Sequence, residues 1–167
     1  MAAREDPPAL LHEEWGDNVY VKIPVSNTRG ESSCPLVATL SQAGVKVNVT
    51  ALMLPGQVRE VGAAVAGGAP ACVSVFAGRV ADTGRDPVPL MTECLELLRP
   101  YPNAELIWAS PRELLNLFQA DANGCHIIPV THDVLRKLAL VGKGLEEYSL
   151  ETVKMFYDDA REAGFQL

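Results

Sequence analysis

The feature that most limits what this chain can become is an alternation. Five short apolar segments open at residues 19, 45, 71, 104 and 126, and each is followed by a stretch of helical character. Regular strand–helix alternation leads to parallel strands, because antiparallel neighbours need only a hairpin between them. The crossovers then share one hand. Pro55 marks a helix start, while Gly44, Gly67-Gly68, Pro100 and Pro102 mark helix ends. The pattern predicts strands over residues 19–25, 45–52, 71–77, 104–109 and 126–130, with helices over 32–42, 55–66, 87–98, 111–121 and 131–139. Residues 78–86 read as a polar loop, with Asp82 and Asp86 stabilising it. Ser110-Pro111-Arg112-Glu113 reads as a helix start, with Ser as N-cap, Pro at N1 and Glu at N3. Ser149 reads as the N-cap of a last helix with Leu150, Val153, Phe156, Tyr157 and Ala160 on one apolar face. Residues 1–14 read as a poorly ordered lead-in, and 15–167 as one domain.

The 167 residues suffice for a real core. At 48% hydrophobic and 21% charged, the composition is that of a folded protein. The net charge of -7 argues against nucleic acid as a partner, whose phosphates call for a basic surface. No apolar run is long enough to span a membrane, and the N-terminus has no secretory signal. Cys34, Cys72, Cys94 and Cys125 form no C-x-x-C pair and read as reduced thiols in a cytoplasmic protein. His12, His126 and His132 are scattered without a metal-ligand pattern, so neither a metal nor a cofactor is expected.

The strands carry the chemical information. In the first, Val19, Val21, Ile23 and Val25 share one face, and Tyr20, Lys22 and Pro24 the other. In the second, Val45, Val47 and Val49 oppose Lys46, Asn48 and Thr50. A mid-strand lysine admits two readings. It snorkels to water from a half-exposed strand, or it is desolvated so that its free amine attacks a carbonyl and forms a Schiff base. The two-faced strands separate two architectures. An open doubly wound sheet is covered on both sides and its strands are apolar throughout. A barrel wall instead turns one face of each strand toward an interior reaction site. A complete (β/α)8 barrel takes about 250 residues, so five units occupy roughly 155, close to this chain.

Four motifs carry a resemblance. Val21-Lys22-Ile23-Pro24-Val25, Asn48-Val49-Thr50, Ser74-Val75-Phe76-Ala77-Gly78-Arg79 and Ala109-Ser110-Pro111-Arg112 stand in the order and spacing of the transaldolase family. That family includes a smaller fructose-6-phosphate-aldolase-like branch, and the resemblance covers about residues 15 to 167. It implies an α/β fold, a (β/α)8 TIM barrel represented here by its last five β/α units (strands 4–8) plus a C-terminal helix. It also implies transfer of a dihydroxyacetone unit between sugar phosphates, within the pentose phosphate pathway. By position, Lys22 becomes the Schiff-base lysine. Asn48 and Thr50 line the site, Thr50 holding the catalytic water. Ser74 touches substrate, with Phe76 beside it. Arg79, Ser110 and Arg112 bind the sugar phosphate.

Elementary chemistry agrees with these assignments. Asn48 and Thr50 can orient water without adding charge. A helix start at Ser110–Arg112 would favour an anion, and a second arginine at 79 makes a two-pronged clamp. The resemblance also implies parts that this sequence lacks: the first three units, with an aspartate and a Thr-Asn-Pro motif. The aldolase-like branch has a tyrosine where this chain has Phe76, which favours the transaldolase branch. General acid–base help typically contributes ~10²–10⁴-fold, so turnover by the truncated chain is expected to be nearly abolished. A non-catalytic sugar-phosphate-binding remnant and an aldolase-like lyase are the alternatives. Open sheet edges would invite self-association into a homo-oligomer. An alternative start or a truncated reading frame is the expected origin of the short form.

Overall fold

The computed structural model describes residue 16 and residues 18–165. The expected lead-in over 1–14 lies outside the described residues. The chain divides between Thr131 and His132 into two compact units.

In the first unit, four parallel strands, β1 (Val21–Pro24), β2 (Val47–Leu52), β3 (Ala71–Val75) and β4 (Ala104–Trp108), lie side by side in sequence order. The connecting helices are α1 (Cys34–Gln42), α2 (Pro55–Ala64), α3 (Ala77–Asp82) and α4 (Pro87–Leu98), and α5 (Leu115–Asn123) follows β4. A doubly wound sheet reverses its strand order at a switch point. Here the order never reverses, so crossovers of one hand bring the helices to one side. The core records this. Val37, Leu40, Val58, Val61, Met91 and Cys94 from the helices pack with Val47, Val49, Val73 and Leu106 from one face of the sheet. The opposite face has a separate small cluster of Cys72, Ile107 and Ala109, with Tyr20, Phe76 and Ile127 against it and, among the described residues, no helical residue in it. A mixed α/β unit with one helix-covered face is consistent with part of a TIM-barrel-like wall.

Local chemistry explains the element ends. Asp86 caps α4 by accepting from Val88 N–H at 2.9 Å. Gln57 Oε1 accepts from the N–H groups of Met53 and Leu54 at the start of α2. Gly124, at φ 79°, ends α5 in the left-handed conformation that a side chain resists.

Four expectations need correction. Residues 78–86 are not all loop, since α3 occupies Ala77–Asp82. Ser110 is not an N-cap: its φ is 60°, and α5 starts only at Leu115. The segment 126–130 makes a single parallel bridge, Ile107 to Ile127, and not a strand. Pro129 has no N–H with which to continue the ladder. Ser149 lies inside the last helix, which begins at Leu145.

The second unit holds a short helix α6 (His132–Arg136), a 3₁₀ turn (Lys137–Leu140) and the long helix α7 (Leu145–Glu162). Glu146 and Glu147 in the first turn of α7 suit the positive end of its dipole. Leu150, Val153 and Phe156 on its apolar face are exposed. No helix among the described residues is long and apolar enough to cross a membrane.

Candidate functional site

The sheet register decides which side chains share a level. Lys22 pairs with Asn48, Asn48 with Cys72, and Cys72 with Glu105. Since strands lie about 4.8 Å apart, this is one row across the uncovered face. Ser74 Oγ–H donates to Asn48 Oδ1 at 2.7 Å, which ties β3 to β2 and fixes the Asn48 amide. Ser74 is buried and Asn48 half-buried. Lys22, by contrast, is exposed, and it makes no hydrogen bond or ion pair to another described residue. The desolvated setting expected for it is not what surrounds it here.

Below this row, Tyr20 and Lys46 meet, the ammonium standing 6.0 Å from the ring centre. Burial pushes the Tyr20 hydroxyl pKa up, and the nearby Cys72 and Glu105 add to it. Burial, then Glu105, also raises the Cys72 thiol.

Above the row, β2 is irregular. The register slips between Val49 and Leu52, so β2 carries one residue more than β3 over this stretch. That bulge puts Ala51 at φ 67°, a conformation costing an L-residue about 1–2 kcal/mol. It turns Leu52 back into the helix-side core at 0% exposure. Thr50, beside the bulge, is 8% exposed, and its Oγ1 is buried with no hydrogen-bond partner among the described residues. A buried hydroxyl in that state is unusual.

At the C-terminal ends of β3 and β4, the two following loops are fused. Gly78 N–H donates to Ala109 O at 3.2 Å. A Cβ at Gly78 would stand 1.5 Å from Ser110 O, so only glycine permits this approach. Phe76 is half-buried over the Ile107 cluster, and the Arg79 guanidinium lies 5.0 Å from the centre of its ring. Arg112 is held elsewhere. Its Nε donates to Asp82 Oδ1 at 3.2 Å and its Nη2 to Asp82 Oδ2 at 2.5 Å. The two arginines are therefore engaged by different groups, Phe76 and Asp82. A cleft of about 360 Å³ opens between Ser110–Arg112 and residues 129–131. A larger cleft, about 420 Å³, includes Ala104 and Glu105 at the other end of β4, away from these loops.

Two contributors escaped the sequence. Asp82 reads there as a loop acid, and Asn116 as an ordinary helix residue. Asn116 Oδ1 accepts from Arg112 N–H at 2.7 Å and Glu113 N–H at 3.0 Å, folding the turn after β4. An asparagine four residues after an arginine in a proline turn was the available signal.

The family model described as Transaldolase/Fructose-6-phosphate aldolase matches residues 9–167. A "Probable transaldolase" of Anaeromyxobacter sp. (strain Fw109-5) is 32% identical over 153 residues, covering 88% of this chain and 66% of the relative. "Probable transaldolase 2" of Listeria monocytogenes is 33% identical over 84% of this chain and 62% of its own length. A "Probable transaldolase" of Caldicellulosiruptor saccharolyticus is 35% identical over 78% and 59%. The chain thus spans somewhat under two thirds of the length of these relatives.

Proposed function

Because this chain belongs to the transaldolase/fructose-6-phosphate aldolase family, we propose that it carries a Schiff-base site for a three-carbon ketose unit. The Lys22 amine attacks the ketone carbon of a ketose phosphate, and water leaves to give an iminium. Cleavage of the adjoining carbon–carbon bond releases an aldehyde and leaves dihydroxyacetone on the lysine. A second aldose phosphate then takes that unit up. In the transferase reading the donor is sedoheptulose 7-phosphate, the acceptor is glyceraldehyde 3-phosphate, and the products are erythrose 4-phosphate and fructose 6-phosphate. This reading makes the four strands, with the bridged segment 126–130, those numbered 4 to 8 of a complete barrel.

The observation that carries this reading is the row of Lys22 and Asn48 joined to Ser74. Its members stand on the sheet face opposite the one packed by the first unit's helices, among the described residues. The Asn48 amide, fixed by Ser74, is positioned to hydrogen-bond a hydroxyl next to the imine. Thr50 Oγ1 has its bonding capacity uncommitted among the described residues and is suited to the water of imine formation and hydrolysis. Ser110 and Arg112 border the cleft in which the substrate phosphate is placed. Arg79 and Phe76 stand on the neighbouring loop. The next acid along the Lys22 row is Glu105, three strands away. Imine formation and turnover are therefore separate questions for this chain.

The test is chemical trapping. The chain is incubated with fructose 6-phosphate, reduced with borohydride, and mapped by peptide mass spectrometry. The expected result is a reduced adduct on Lys22 that disappears in Lys22→Arg. Adducts absent from Lys22, or spread equally over surface lysines, would overturn the assignment.

A further inference from the structure

We infer that Asp82 is a positioning residue for the phosphate subsite, holding the Arg112 guanidinium from behind so that its free edge faces the cleft. The inference rests on the reading of Arg112 as a phosphate ligand. An arginine has five N–H donors in a rigid fork. Asp82 occupies the side edge, taking Nε and Nη2. The two Nη1 protons and the second Nη2 proton remain; one from each nitrogen forms the end edge, which can receive two phosphate oxygens in parallel.

The surroundings favour support over competition. Arg112 borders two clefts. One lies with Ser110 and residues 129–131. The other, about 270 Å³, includes Asp82 and Asn116. Asp82 lines the second and Ser110 the first, with Arg112 on both. Asn116 fixes the Arg112 backbone from that same second cleft. The residue is thus restrained at its main-chain N–H and at its guanidinium. Asp82 is itself set by α3, whose first turn is packed on the Ser110 carbonyl through Gly78. Both partners are about half exposed, at 49% and 52%, so the pair adds little to folding. Its effect is on the freedom of a long side chain that otherwise has to be ordered when an anion arrives.

Ordering one such side chain costs binding a factor of roughly two to twelve. The wild-type chain, Asp82→Asn, Asp82→Ala and Arg112→Ala are titrated with inorganic phosphate by ³¹P NMR. Asp82→Asn removes the charge but keeps one oxygen acceptor. Positioning predicts affinity in the order wild type, Asp82→Asn, Asp82→Ala, with the last weaker by roughly three- to tenfold. In parallel, Lys22 is trapped by borohydride with fructose 6-phosphate and with dihydroxyacetone, which has no phosphate. The ratio of the two adduct yields should fall in Asp82→Ala, a change that loss of folding does not produce. Equal or tighter phosphate binding by Asp82→Ala would identify Asp82 as inert or as a competitor, and would overturn the inference while leaving the Lys22 chemistry standing. Phosphate binding that is absent, or indifferent to Arg112→Ala, would overturn it together with the phosphate role of Arg112. If neither ketone labels Lys22, the Schiff-base reading fails and the phosphate titration alone decides the role of Asp82.

Discussion

Gly78→Ala is a one-carbon change whose sign separates the packing described here from ordinary helix propensity. Gly78 stands in the first turn of α3, where alanine would by propensity gain about 0.5–1 kcal/mol over glycine. The new Cβ would lie 1.5 Å from Ser110 O and 2.6 Å from Ser110 C. Both atoms are main chain, so no side chain can swing aside, and one backbone has to withdraw at the expense of the Gly78–Ala109 hydrogen bond. Overpacking costs about 1–3 kcal/mol and occasionally more. With the upper figure and the propensity gain, the net loss is about 2 kcal/mol. Gly56 in α2 has nothing within 4 Å of its Cβ position. There, alanine should stabilise by up to about 1 kcal/mol. For a domain of this size each kcal/mol moves Tm by about 2–4 °C. Thermal and urea melts should therefore show Gly78→Ala lower by about 4–8 °C and Gly56→Ala unchanged or higher. A Gly78→Ala protein as stable as the wild type would refute the close approach of the two loops, and with it the setting of Ser110 and Arg112.

Other outcomes follow from single observations. Ala51→Gly relieves a positive φ at an exposed bulge and should stabilise the chain by about 1 kcal/mol, read from the urea midpoint; a loss of stability would show that the Ala51 methyl group contributes contacts outweighing that strain. Burial pushes the Cys94 thiol pKa from 9.0 up to about 12. The neutral thiol thus favours the folded state: its contribution is complete below pH 9 and is lost as pH rises toward 12, at about 1.4 kcal/mol per pH unit. Denaturation midpoints from pH 8 to 11 should fall less steeply in Cys94→Ala, and an unchanged slope would show that the thiol is not buried as described.

Local pattern was enough for much of this chain. Alternation in Val47–Leu52 and proline and glycine punctuation locate β2, α2 and α4, because period and breaker chemistry are properties of neighbouring residues. The interval 87–98 read for a helix coincides with α4. The same logic failed where a distant contact overrides the local preference. Ser110-Pro111-Arg112-Glu113 has the composition of a helix start, but Asn116 takes the backbone donors of residues 112 and 113, and Gly78 crowds Ser110. The result is a turn, with the helix delayed to Leu115. Residues 78–82 looked like loop because glycine, arginine and aspartate are poor local evidence for a helix. Packing of Ala77 and Gly78 against the sheet makes them one.

The sequence by itself determined the two faces of the first two strands, the family, and which residue types stand at Lys22, Asn48, Thr50 and Ser74. Alternation and motif spacing need no neighbour from elsewhere in the chain. Only the tertiary structure decided that the strands lie in unreversed order, that Asn48 is held by Ser74, that Lys22 stands exposed on the face without helices, and that Arg112 is gripped by Asp82 thirty residues before it. Register, burial and ion pairing are relations between segments far apart in the chain, and a one-dimensional pattern has no term for the distance between them.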